Sequence, residues 1–143
     1  MSFQFKYLEE VALADIAFAV TADSWGDLFA GSAAAMTGVM VAIEDLKATT
    51  IRKVELDAPS VDDLLYDWLA ELVYLKDTEG FLVKATEAVV TPGARWHLSA
   101  HMEGETIDRT RHRLGQDVKA VTYHMFEVSG VGASYSAKVV LDI

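Results

Sequence analysis

Hydrophobic and polar positions divide the chain into short periodic blocks. Phe3–Leu8 and residues 14–21 read as two strands, because Ile16, Phe18 and Val20 alternate with Asp15, Ala17 and Ala19. Ser24, with Asp27 three residues on, predicts a helix start. Trp25, Leu28, Phe29, Met36 and Val39 follow at helical spacing, and the small residues 30–35 would let that helix lie close to a sheet. Residues 50–56 alternate again as a strand. Pro59-Ser60 then opens the clearest helix, whose stripe of Val61, Leu64, Leu65, Trp68, Leu69, Leu72 and Val73 reads first as core packing. Gly80 marks the exit from it. Strand patterns fill the rest, over 81–90, 95–102, 118–128 and 134–143, with turns expected at Pro92-Gly93 and over 130–132. Two helices early and strands late predict an α+β fold, two helices covering one face of a mostly antiparallel sheet.

Composition narrows the function classes. The 143 residues suit a single domain over 1–143, and no linker, internal repeat or low-complexity tract divides them. Twenty-two acidic against 12 basic residues give a net charge of −10. That field disfavours direct nucleic-acid binding and suits a basic protein partner or bound cations, although it also serves solubility alone. The absence of cysteine excludes disulfides and thiolate metal sites. With no signal-peptide core and no apolar run near the ~20 residues of a membrane span, a cytoplasmic protein is expected.

Catalytic motifs are missing: no phosphate loop, no nucleophile elbow, no paired-histidine zinc motif. His97 and His101 fall in a strand pattern, where four residues span about 13 Å, too far to share one ion. His112 stands among Arg109, Arg111 and Arg113, a setting that discourages a cation, and His124 follows Tyr123 in a strand. All four histidines read as structural or solvated. The three arginines alternate, so an extended segment would align them to grip a phosphate or an acidic surface; a solvated loop is the plainer reading.

Two aspartates interrupt apolar strands. Asp15 lies opposite the Ile16/Phe18/Val20 face, and Asp142 opposite Tyr135, Ala137, Val139, Leu141 and Ile143. If their strands meet, both carboxylates would converge beside a carboxylate at Ile143, offering up to six oxygens to a hard cation such as calcium. Solvated surface is the competing reading.

Several segments resemble the archease family: Leu64-Leu65-Tyr66-Asp67-Trp68-Leu69, Asp77-Thr78-Glu79-Gly80-Phe81, Val118-Lys119-Ala120-Val121-Thr122-Tyr123-His124 and the closing Val140-Leu141-Asp142-Ile143. Ala14-Asp15-Ile16 matches part of the family's His-Thr-Ala-Asp signature, with Ala12-Leu13 in place of His-Thr. The likeness runs from about Phe5 to Ile143. It implies an accessory protein of an RtcB-type RNA ligase in tRNA splicing and RNA repair, promoting guanylylation of the ligase's active-site histidine by GTP and repeated turnover. It further implies a calcium-like metal held by Asp15, Asp142 and Ile143, so that residues added after Ile143 would impair function, and a functional lysine at Lys119. Loss of the histidine would weaken or alter that metal site if it supports Asp15 from outside.

Three other readings compete. They are a general chaperone-like protein-binding modulator of RNA-processing enzymes, a metal-dependent hydrolase using the paired aspartates, and a dimer formed through a late strand edge. Oligomeric state is left open by the sequence.

Overall fold

A computed structural model describes residues 2–8 and 15–143 of the chain. The strands are β1 (Phe3–Leu8), β2 (Asp15–Ala22), β3 (Thr50–Ala58), β4 (Phe81–Thr91), β5 (Trp96–Thr106), β6 (Ala120–Val131) and β7 (Ser134–Asp142). The helices are α1 (Trp25–Met40) and α2 (Val61–Glu79), with a 3-10 turn at Ile43–Asp45 that the sequence pattern did not announce. Fold class and the two helices agree with expectation. The single sheet does not: β1-β2-β7-β6 form one sheet and β3-β5-β4 another, all paired antiparallel.

Helix α1 accounts for the second sheet. Twelve of its sixteen residues are buried, which one covered face does not explain. It packs against β1, β2 and β7 of one sheet and against β4 of the other. A helix lined with small residues on one side and Leu28, Phe29 and Met36 on the other buries both sides. Helix α2 keeps the expected apolar stripe, with Leu64, Leu65, Trp68 and Leu69 fully buried. Trp68 ties the helices together, its Nε1 donating to the Phe29 carbonyl at 3.0 Å.

Both predicted helix starts are present. The Ser24 hydroxyl accepts from the Asp27 N–H at 3.1 Å, and that of Ser60 accepts from the Asp63 N–H at 3.2 Å. Gly80 ends α2 at φ 67°, a left-handed cap that strains any residue with a Cβ. Element bounds shift most at β5, expected to stop at Met102 but paired through Thr106, and at β6, expected from Val118 but starting at Ala120. Gly130, expected in a turn, instead pairs with Tyr135 inside the β6–β7 ladder, and Gly132 makes the turn at φ 62°. The extra ladder length follows from hydrogen bonding, which continues where alternation in the sequence has faded. No described helix is long and apolar enough to cross a membrane.

Candidate functional site

Strands β2 and β7 are the inner pair of the four-stranded sheet. Their register pairs Ile16 with Leu141, Phe18 with Val139 and Val20 with Ala137, all toward the core. A slip of one residue would turn those side chains out to solvent, so burial sets the register. The same register places Asp15 directly opposite Asp142 on the other face. Side chains so paired have Cβ atoms roughly 5 Å apart. Both aspartates and Ile143 are half-buried, and the next pair along that face, Ala17 and Val140, is fully buried. The carboxylates therefore stand against a dry apolar floor.

Strand β6 brings in the fourth candidate. Ala120 pairs with Asp142, and the Lys119 N–H donates to the Asp142 carbonyl at 2.8 Å. The Lys119 side chain is exposed and makes no ion pair with a described residue. Asp15, Asp142, Ile143 and Lys119 thus lie in one neighbourhood, though they come from opposite ends of the chain. Ala12-Leu13 lies outside the described residues. No group of three or more His, Cys, Asp and Glu suited to a metal ion occurs among the described residues. Among the described residues, Asp15 and Asp142 are joined by no third carboxylate, histidine or cysteine placed to share an ion.

The three arginines lie in a loop, the plainer of the two readings, and the extended alternative is set aside. Residues 109–111 form a turn, and the arginines diverge. Arg113 donates to Asp45 at 3.0 Å and to Glu44 at 3.1 Å. Arg111 reaches the buried Glu105, which also accepts from the Lys47 N–H at 2.6 Å. Two of the three cations hold loops onto the body of the protein, leaving neither aligned for a phosphate. Glu105 lies beyond Met102, where the strand was expected to stop, and no local pattern marks its distant partner.

The Arg111 guanidinium holds the Glu105 carboxyl down at about 2, against an ordinary 4.5. Arg113 does the same for Asp45, also to about 2. A depressed carboxyl contributes stability above its unfolded value, and the contribution is lost as pH falls through the folded one. Thermal midpoints should therefore decline steadily from about pH 4.5 toward pH 2. In Glu105→Gln that decline should be shallower, and the midpoint at pH 7 lower than wild type. Equal slopes would remove Glu105 from the acid transition.

The histidines are structural or solvated, as expected. His112 is buried; its Nδ1 accepts from the Asp108 N–H at 2.9 Å, and its Nε2 lies 3.0 Å from Glu105 without hydrogen-bonding alignment. His97 bridges Asp57 at 2.7 Å and Glu55 at 2.9 Å, and these carboxylates raise its pKa, Asp57 foremost. His101 and His124 are exposed.

The sequence matches the Archease protein family over residues 5–143. Protein archease of Methanosarcina mazei is 31% identical over 98% of this chain and 96% of its own length. Protein archease of Methanothermobacter thermautotrophicus is 34% identical over 88% of this chain and 96% of its own. The solution structure of Methanobacterium thermoautotrophicum protein 1598 superposes with a TM-score of 0.77 at 31% identity, covering 99% of this chain and 98% of that one. A Thermotoga maritima crystal structure described as an archease, possible chaperone, has a TM-score of 0.60 at 17% identity over 92% and 93% of the two chains, a likeness of fold.

Proposed function

This chain belongs to the archease family, and from that premise we propose that it is an accessory protein of an RtcB-type RNA ligase in tRNA splicing and RNA repair. In this reading it promotes GTP-dependent guanylylation of the ligase's histidine and so sustains repeated turnover. The observation that carries the reading is the pairing of Asp15 with Asp142, with Lys119 bonded to the Asp142 main chain.

Two facing carboxylates and the main-chain carbonyl of Ile143 make an all-oxygen donor set, which fits a hard cation such as calcium and not a soft one. They fall short of the six to eight oxygens calcium takes, so the remainder belongs to water or the partner. When bound, the cation supplies positive charge for the GTP phosphates at the mouth of the ligase active site. Asp15 and Asp142 hold it from adjacent strands whose register the core enforces. Lys119, on the neighbouring strand's approach, offers a second positive charge that needs no metal. The carboxylates serve as ligands here, not as the acid and base of a hydrolase, for which no placed proton-transfer partner stands beside them among the described residues.

The decisive assay measures guanylylation of the purified ligase with wild-type protein, Asp142→Ala and Lys119→Ala, each with and without a chelator. Stimulation is expected from wild type alone, lost on chelation. Both variants stimulating as well as wild type would remove the site. The broader reading, a chaperone-like modulator as the Thermotoga maritima protein has been described, predicts stimulation that survives loss of either aspartate.

A further inference from the structure

At the free edge of the four-stranded sheet, β6 departs from regular pairing between Thr122 and Glu127. Within that stretch Met125 is held at φ 53°, a conformation costly for a residue with a Cβ. Three rings cluster there. Tyr66 of α2 and Tyr123 stack at 4.0 Å with planes 5° apart, and Phe126 meets both edge-on. The Tyr66 hydroxyl donates to the Val121 carbonyl at 2.9 Å, which pins the lower ring. Tyr123 is nonetheless 64% exposed, so the face turned away from Tyr66 is open.

The flank of this platform is acidic. Asp63, Tyr66 and Asp67 stand at helical spacings of three and four, on one side of α2. Asp63 sits in the first turn, where it also favours the helix dipole. Asp67 has no such duty, and neither is paired with a described basic residue. Burial and the neighbouring Asp63 raise the Asp67 pKa, and loss of hydration against the stacked ring, together with Tyr66 and both aspartates, raises that of the otherwise exposed Tyr123 hydroxyl. The carboxylates therefore act on the ring's surroundings and on each other, an arrangement that a cation would relieve.

An open, rigid aromatic face beside unpaired carboxylates matches one protein side chain best. The guanidinium of arginine is planar, stacks on rings and offers several N–H donors to carboxylates, whereas the compact lysine ammonium does only part of this. We propose that the Tyr66–Tyr123 stack is a docking platform for an arginine of the partner protein, its guanidinium lying on the open face of Tyr123 and donating to Asp67. The platform begins three residues along β6 from Ala120, the residue paired with Asp142. This inference rests on the reading that a protein partner, the RNA ligase, exists.

The test is equilibrium binding of the purified RtcB-type ligase to wild type, Tyr123→Leu, Tyr123→Phe and Asp67→Asn, at low and high salt. Tyr123→Leu should weaken binding about tenfold, the scale of a partly desolvated cation–ring contact. Tyr123→Phe, which keeps the ring, should bind close to wild type. Asp67→Asn should weaken binding several-fold and flatten the salt dependence. At saturating concentration Tyr123→Leu should still stimulate fully, unlike Asp142→Ala. If wild type, Tyr123→Leu and Asp67→Asn bind equally, the platform is overturned and the functional reading stands. If wild type itself does not bind the ligase, both fall. If Tyr123→Leu instead abolishes a concentration-dependent dimer, the platform serves a second copy of this chain and the proposal is overturned.

Discussion

Asp142→Asn is expected to melt at a slightly higher temperature than wild type in chelator, and to lose all response to added calcium. Like charges placed directly opposite on neighbouring strands destabilise a sheet, by roughly 0.2–1 kcal/mol on the usual scale of cross-strand pairs. Asp15 and Asp142 are so placed, on the inner pair of strands and against the buried Ala17 and Val140. Removing one charge should relieve that repulsion. In wild type, a divalent cation at about a hundred times its dissociation constant would add about 2.7 kcal/mol. For a protein of this size that amounts to roughly 5–11 °C in melting temperature. Asp15→Asn should behave in the same way. Calorimetric melts in chelator, calcium, magnesium and manganese decide the matter, and a wild-type midpoint indifferent to all three ions would rule out a metal at this pair. The two halves of the result are informative together, since a site that costs stability when empty is one retained for what it binds.

Trp68→Ala is expected to lose about 3–5 kcal/mol, the usual cost of deleting a large ring from a packed core. Total stabilities run at about 5–15 kcal/mol, so this variant should stand at the margin of folding. Trp68 is fully buried at the meeting of α1 and α2, and α1 in turn carries both sheets. Trp68→Phe separates the contributions: it keeps most of the apolar volume and loses the Nε1–H bond to the Phe29 carbonyl. That carbonyl also lies within α1, so the loss should be near 1 kcal/mol, plus a smaller term for the missing ring. Urea unfolding of the three proteins, followed by tryptophan-independent circular dichroism, measures both. A loss under 1 kcal/mol for Trp68→Ala would contradict the packing described.

Much of the local structure was legible. Ser24 and Ser60 sit before apolar runs with an acid three residues on, and both cap as read, because an N-cap is a contact within one turn of chain. Gly80 ends α2 for a similarly local reason. The alternation around Asp15 and Asp142 put each on the face opposite its apolar neighbours, and the core then enforces the register that makes them meet. What alternation lacked was the identity of the partner strand, and here the family likeness supplied the expectation.

Other features depended on contacts between distant segments. The arginines at 109, 111 and 113 alternate in sequence, yet a turn separates them and carboxylates from residues 44, 45 and 105 claim two of them. Tyr66 lies in a helix read for its core stripe, and Tyr123 in a strand 57 positions later; only packing stacks them. The division into two sheets is of the same kind. Periodicity along one segment determined strands, helices, caps and the face that each side chain takes, because those follow from backbone geometry over a few residues. Which strands pair, which charges neutralise each other and which ring is left open were decided by the tertiary structure alone, since those energies arise between residues that no local pattern connects.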